Sequence, residues 1–155
     1  MNPSERLGEL GLTLPPLVQP VGSYVPAIRT GSLVLVSGQI PIENGKIKFA
    51  GKVGRDLTLE QAATAARLCG LNALAIAADA AGGIDRIARI VRLAVFVNGA
   101  PGFTDQPKVA DGASDLMTEI FGEAGRHVRA AVGAAELPLN AAVEVELIAE
   151  LHSSP

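Results

Sequence analysis

The stretch "HVRAAVGAAELPLNAAVEVELIAEL", residues 127–151, decides how the rest of the chain is read. It divides into two short apolar runs around a Leu-Pro-Leu-Asn turn, the pattern of a β-hairpin. The first run nevertheless carries Arg129, and the second carries Glu144 and Glu146. Side chains on a strand alternate between its two faces. Val143, Val145, Leu147 and Ala149 therefore form one face of the last strand, suited to a helix layer, and Glu144, Glu146 and Ile148 form the other. In the preceding strand the expected helix-facing set is Val128, Ala130 and Val132, which leaves Arg129, Ala131 and Gly133 opposite. With a loop over 136–139, Ala135 pairs with Asn140 and Arg129 falls across from Glu146, with Glu144 two residues along; a slip of one residue would undo this. The charges then admit two readings: a cross-strand ion pair on a solvated face, worth a few tenths of a kcal/mol, or the lining of a site. Ala131, Gly133 and Ala135 are too small to fill the space on that second face, which points to a subunit interface with pockets.

Upstream, "RIARIVRLAVFVNG" (86–99) is long and β-branched, a strand. Pro107 begins a helix over 106–121 that Gly122 closes, and Gly112 in its middle weakens it by about 1 kcal/mol relative to Ala. Thr58 followed by Gln61 is a capping box. The Ala-rich helix it opens runs to Ala81, where Gly82-Gly83 supplies the left-handed stop. "GSYVPAIRTGSLVLVSGQIP" (22–41) gives β-like runs at 23–29 and 32–37 around Thr30-Gly31, and "GKIKFAGKVG" (45–54) a short strand or loop. Residues 1–20, with Pro15, Pro16 and Pro20, read as an extended lead-in packed on the surface. The order β-β-(β)-α-β-α-β-β predicts an α+β domain over 1–155, a mixed or antiparallel sheet with two helices on one face.

Composition bounds the function. The chain has 155 residues, 48% hydrophobic and 19% charged, as folded globular domains do. Aromatics are 3% with no Trp, so Ala, Val, Leu and Ile must fill the core, and oligomerisation is expected to supply further burial. A net charge of −3 and five aromatics argue against a nucleic-acid partner. Cys69 stands alone, which excludes an internal disulfide and a Cys-rich metal site, and it reads as a buried structural thiol. His127 and His152 read as surface or strand-end residues rather than ligands, so no metal is expected. The N-terminus lacks the apolar segment of a secretory signal, and the longest apolar stretch, 73–78, is too short to span a bilayer, so a cytoplasmic location without membrane contact is expected. Arg86, Arg89 and Arg92, at three-residue spacing on a strand, are not expected to share one face. Asp105, Asp111 and Asp115 read as capping and surface charges.

Three blocks carry a resemblance. "RAAVGAAELPLNAAVEVELIAEL" resembles the C-terminal signature of the Rid (YjgF-type) family of enamine/imine deaminases, "GSYVPAIRTGSLVLVSGQIP" its N-terminal signature, and "VRLAVFVNG" its central strand. They fall in the family's order across residues 21–150. The resemblance implies a chorismate-mutase-like fold and a homotrimer around a central barrel, with clefts between subunits. It implies hydrolysis of small 2-imino or enamino acids such as 2-aminoacrylate to 2-oxo acids and ammonia, with no cofactor. By motif position Arg129 grips the substrate carboxylate, for which a planar guanidinium is suited, and Glu144 handles the attacking water. Tyr24, Ser37, Gly38 and Ala131 line the cleft. Ala131 stands where many members carry Cys, and the family Asn on the second helix has no secure counterpart, which suggests a divergent subgroup. The alternative is a non-catalytic binding module for a carboxylate-bearing metabolite. Ribonuclease activity, an older family label, ranks below both because the chain is acidic.

Overall fold

The computed structural model describes residues 1–20 and 22–153; Val21, Ser154 and Pro155 lie outside the described residues. The lead-in is not extended at its start. Asn2 caps a short helix, α1 (Pro3–Glu9): its side chain accepts the Glu5 N–H at 2.9 Å, and the Glu5 carboxylate accepts the Asn2 N–H at 3.2 Å. Asn-Pro-Ser-Glu is a capping box with proline at the first helical position, a signal hidden among the Gly and Pro residues around it. Residues 12–20 carry no regular element.

The remaining elements are β1 (Ala27–Thr30), β2 (Leu33–Gln39), β3 (Ile42–Glu43), β4 (Lys46–Ile47), α2 (Leu59–Ala81), β5 (Ile87–Asn98), α3 (Gln106–Phe121), β6 (Val128–Ala134) and β7 (Val143–Leu151). Helix α2 starts on the expected box, with Thr58 Oγ1 accepting the Gln61 N–H at 3.1 Å and Gln61 Oε1 the Thr58 N–H at 2.9 Å. It ends at Gly82, whose φ of 88° suits glycine.

The five-stranded sheet runs β1-β2-β7-β5-β6, and β3 and β4 form a separate pair. Here the hairpin expectation fails. Strand β6 pairs parallel to β5, with Leu93 opposite Arg129, while β7 lies antiparallel between β2 and β5. The physical reason is α3: parallel neighbours need a crossover long enough to hold a helix, and the segment between β5 and β6 contains one. Strand β7, whose alternate residues from Val143 to Leu151 are all buried, is thereby free to take a central place.

The pairing also inverts the expected faces of β6. Arg129, Ala131 and Gly133 share the helix side with Leu93, Val95 and Val97, and Val128, Ala130 and Val132 share the open side with Arg92, Ala94 and Phe96. The faces of β7 are as expected. On β5 the register shifts between Ile90 and Arg92, so Arg89 (opposite Glu150) and Arg92 (opposite Ile148) share the open face despite their spacing. A bulge inserts one residue and resets the alternation.

Helix α2 lies over β2 and β7, and α3 over β5 and β6. Small residues bring the helices together: a Cβ at Gly70 would lie 3.3 Å from that of Ala113, and one at Gly112 would overlap the Ala63 carbonyl oxygen. Gly112 therefore serves the packing that its helix propensity opposes. Cys69 is buried beneath β7 with Sγ 3.4 Å from the Val143 carbonyl. Burial, and then the charge of Glu144, pushes its thiol pKa well up.

Candidate functional site

Bent strand β2 builds one candidate cluster. Its register shifts between Val36 and Gln39. Within that interval the Ser37 N–H and hydroxyl both donate to the Pro26 carbonyl, at 2.9 and 3.1 Å. The next residue is a glycine, and the Glu144 side chain packs against it. A Cβ at Gly38 would sit 2.5 Å from Glu144 Oε1, 2.8 Å from Cδ and 3.0 Å from Cγ, so a larger residue there would displace the Glu144 carboxylate from its present position. Glu144 is half-buried, and that burial raises its carboxyl pKa, with Glu146 two residues along on the same face adding to the shift. Tyr24, Ser37, Gly38 and Glu144 thus converge on one cavity of about 90 Å³. Among the described residues lining it there is no lysine or arginine.

A second polar cluster lies at the far edge of the sheet. Arg129 on β6 turns toward α3, where its Nη1 donates to Asp111 Oδ1 at 2.8 Å and Ser114 Oγ at 3.1 Å, and its Nη2 to the Pro107 carbonyl at 3.3 Å. Ser114 Oγ lies 2.8 Å from His127 Nε2, and His127 Nδ1 lies 2.7 Å from the Gly125 carbonyl. A carbonyl only accepts, so Nδ1 carries the proton; in the neutral ring Nε2 accepts from Ser114, whose oxygen is then available to Arg129. The guanidinium is held in one orientation with its side chain 23% exposed. Ala131, two residues along, packs against the core.

Within one chain the two clusters do not meet. Strand β5 separates β6 from β7, and Arg129 faces the helices while Glu144 faces the open side. The Arg129–Glu146 pairing expected from a hairpin is therefore absent: Glu146 sits opposite Ala94, and Arg129 pairs with Asp111 instead. Asp111, Ser114 and His127 were not distinguished from surface residues by sequence. For Asp111 and Ser114 the signal is a polar stripe on α3 with Thr118, spaced by three and four residues.

The open face carries an exposed row of apolar side chains interrupted by Arg92. Ile28, Leu35, Ile148, Arg92 and Val128 form a row across all five strands, with Ile28, Leu35 and Val128 exposed to 58%, 40% and 64%. A cavity of about 810 Å³ opens there beside Tyr24, Ser37 and Glu146. Among the described residues no group of three or more His, Cys, Asp or Glu is placed to hold a metal ion, and no helix is long and apolar enough to cross a membrane.

An α+β domain with this sheet order, two long helices on one face and a glycine-backed glutamate on a bulged strand defines the class. Residues 4–151 match the family model described as "YjgF/chorismate mutase-like, putative endoribonuclease", and the chain belongs to that YjgF family. It is 44% identical to Protein TCP17 of Trypanosoma cruzi over 149 residues, which covers 96% of this chain and 93% of that one. It is 31% identical to the 2-iminobutanoate/2-iminopropanoate deaminase of Dermatophagoides farinae over 137 residues, 88% of this chain and 92% of that one. The crystal structure of Atu1372 from Agrobacterium tumefaciens superposes with a TM-score of 0.89 at 46% identity, covering 97% of this chain and 92% of that one.

Proposed function

We propose that the protein hydrolyses small 2-imino acids to 2-oxo acids and ammonia, in a cleft that two copies build together. The observation that carries this reading is the division of the site. Glu144 lines a pocket without a lysine or arginine among the described residues, while a guanidinium held in one orientation by α3 lies at the opposite sheet edge. A neighbouring copy that covers the open face and brings its Arg129 edge to the Glu144 pocket supplies what each chain lacks. Association into a trimer would bury the row from Ile28 to Val128, an apolar patch of the kind that marks interfaces. The similarity to a named imine deaminase supports the chemistry.

In the reaction Arg129 binds the carboxylate of the imino acid. Glu144 takes a proton from water as the oxygen attacks the carbon of the protonated imine, giving a neutral carbinolamine. Glu144 passes that proton to nitrogen and then takes the hydroxyl proton as the C–N bond breaks, so ammonia leaves, a 2-oxo acid remains, and the proton the imine brought in ends on Glu144, from which solvent removes it. A carboxyl group whose pKa is raised by burial is a better base than an ordinary surface glutamate. Phosphodiester chemistry on RNA is less compatible, since Glu144, Glu146 and Glu150 lie on the open face with Arg89 and Arg92 and no run of aromatics.

The test is to generate 2-iminopropanoate with an amino-acid oxidase and trap the remaining imine with semicarbazide. The protein should lower the trapped imine, and Arg129→Ala should abolish the effect. Unchanged trapping, with thermal stabilisation by 2-oxo acids, would make the chain a binding module instead. Light scattering should give three copies per particle.

A further inference from the structure

We propose that Val18, Gln19 and Pro20, at the end of the N-terminal segment, are specificity-determining residues that limit the length of the side chain the Glu144 pocket accepts, a statement that takes the occupant's chemistry from the imine reading. These three residues form one wall of the pocket, facing the bulged strand at Ser37–Gly38; the turn at Pro138 and Leu139 closes a third side. The cavity is small, about 90 Å³, so a substrate side chain that enters it meets Val18 and Pro20 as it lengthens.

The wall is held from its far end. Ser4 donates to Asp85 through its N–H at 2.9 Å and its hydroxyl at 2.6 Å, and Arg6 Nε donates to the Glu119 carbonyl at 2.8 Å. Leu7 is buried, and Leu10, Leu12 and Leu14 pack against the core. Pro15, Pro16 and Pro20 then restrict φ along the remaining path to the pocket. The leucines anchor the segment upstream, and the prolines stiffen the path from them to the pocket. The segment acts as a steric filter rather than a mobile cover.

The polarity agrees with this role. No lysine or arginine among the described residues lines the pocket, so the carboxylate goes to the edge where the partner's Arg129 enters and the uncharged end turns toward Val18 and Pro20. Discrimination by length then falls on Val18 and Pro20, the apolar members of the wall. A methylene too many in an apolar pocket changes kcat/KM by roughly 10- to 200-fold, so shortening Val18 should relax the limit by about 10-fold.

The experiment compares the full-length protein with Val18→Ala and Gln19→Ala, on imines generated from alanine, 2-aminobutyrate, norvaline and leucine. Binding of the 2-oxo acids of the same lengths is followed in parallel by ligand-observed NMR, which needs no turnover. In the unsubstituted protein both measures should fall as the side chain lengthens. In Val18→Ala the ratio of norvaline-derived to alanine-derived imine should rise about 10-fold, and Gln19→Ala, at an exposed position, should give a smaller rise with an unchanged melting temperature. A merely structural role would lower all substrates together and leave the ratio alone. Absent turnover with a length order in binding that Val18→Ala relaxes defeats the deaminase reading and upholds the filter. A ratio and a binding order that are the same in all three proteins overturn the filter whether or not imines are hydrolysed.

Discussion

Gly38→Ala isolates the contact on which the candidate site is built. The backbone does not forbid the change, because Gly38 is not among the glycines with positive φ. What forbids it is Glu144, whose Oε1 lies 2.5 Å from the position of the new Cβ, where ordinary contact begins near 3.4 Å. The carboxylate must therefore retreat by roughly 1 Å, a displacement that costs about 100-fold in rate for a group at the reacting atoms. Stability should move differently. Glycine within a strand is about 0.5–1 kcal/mol less stable than alanine, so in a Glu144→Ala background Gly38→Ala should stabilise by that amount. With Glu144 present the gain should be cancelled by forcing that side chain off its rotamer, at about 0.5–1.5 kcal/mol. The two substitutions should thus be coupled by about 1 kcal/mol in a double-mutant cycle. Urea unfolding of the four proteins gives the coupling, and semicarbazide trapping gives kcat/KM. Additive stabilities, or a Gly38→Ala protein with unsubstituted kcat/KM, would refute the reasoning.

Three further outcomes can be measured. Glu144 has a raised pKa in the fold, so the native state binds its proton more tightly than the unfolded chain. Stability is then full below the ordinary glutamate value of about 4.3 and falls as pH rises through the raised one. Glu144→Gln should melt higher than the parent at pH 7 and equal to it at pH 4, and identical curves at both would count against the burial. Asp111→Asn removes the resident carboxylate from Arg129, a pair 57% and 23% exposed. At ~0.2–1 kcal/mol for such a pair, a 2-oxo acid titrated by calorimetry at low salt should bind up to about 5-fold tighter, and weaker binding would mean that Asp111 positions Arg129 rather than competing for it. Gly112→Ala should destabilise despite the better helix propensity, because its Cβ meets the Ala63 carbonyl and overpacking costs about 1–3 kcal/mol; a raised melting temperature would show that α2 and α3 can move apart.

Much of the architecture was legible because it is written in local chemistry. Thr58 with Gln61 and Gly82 delimit α2 through backbone donors and a left-handed stop that act within a few residues. Pro107 and Gly122 bound α3 in the same way, and the alternation in Val143–Leu151 gave the faces of β7 correctly. The convergence of Tyr24, Ser37, Gly38 and Glu144 was legible from motif resemblance rather than from any periodicity.

Which strands are neighbours was not. Period-two alternation states that two sets of side chains lie on opposite faces, but an edge strand such as β6 keeps either set half-exposed, so the pattern Val128, Ala130, Val132 does not say which side meets the helices. That was decided by α3 carrying β6 parallel to β5 and by β7 taking the centre of the sheet. The bulge before Arg92 likewise put Arg89 and Arg92 on one face against their spacing. Local hydrogen bonds and caps can be read residue by residue, because their partners lie within one turn of chain. The separation of Arg129 from Glu144 comes from pairings between distant segments that only the packed core selects.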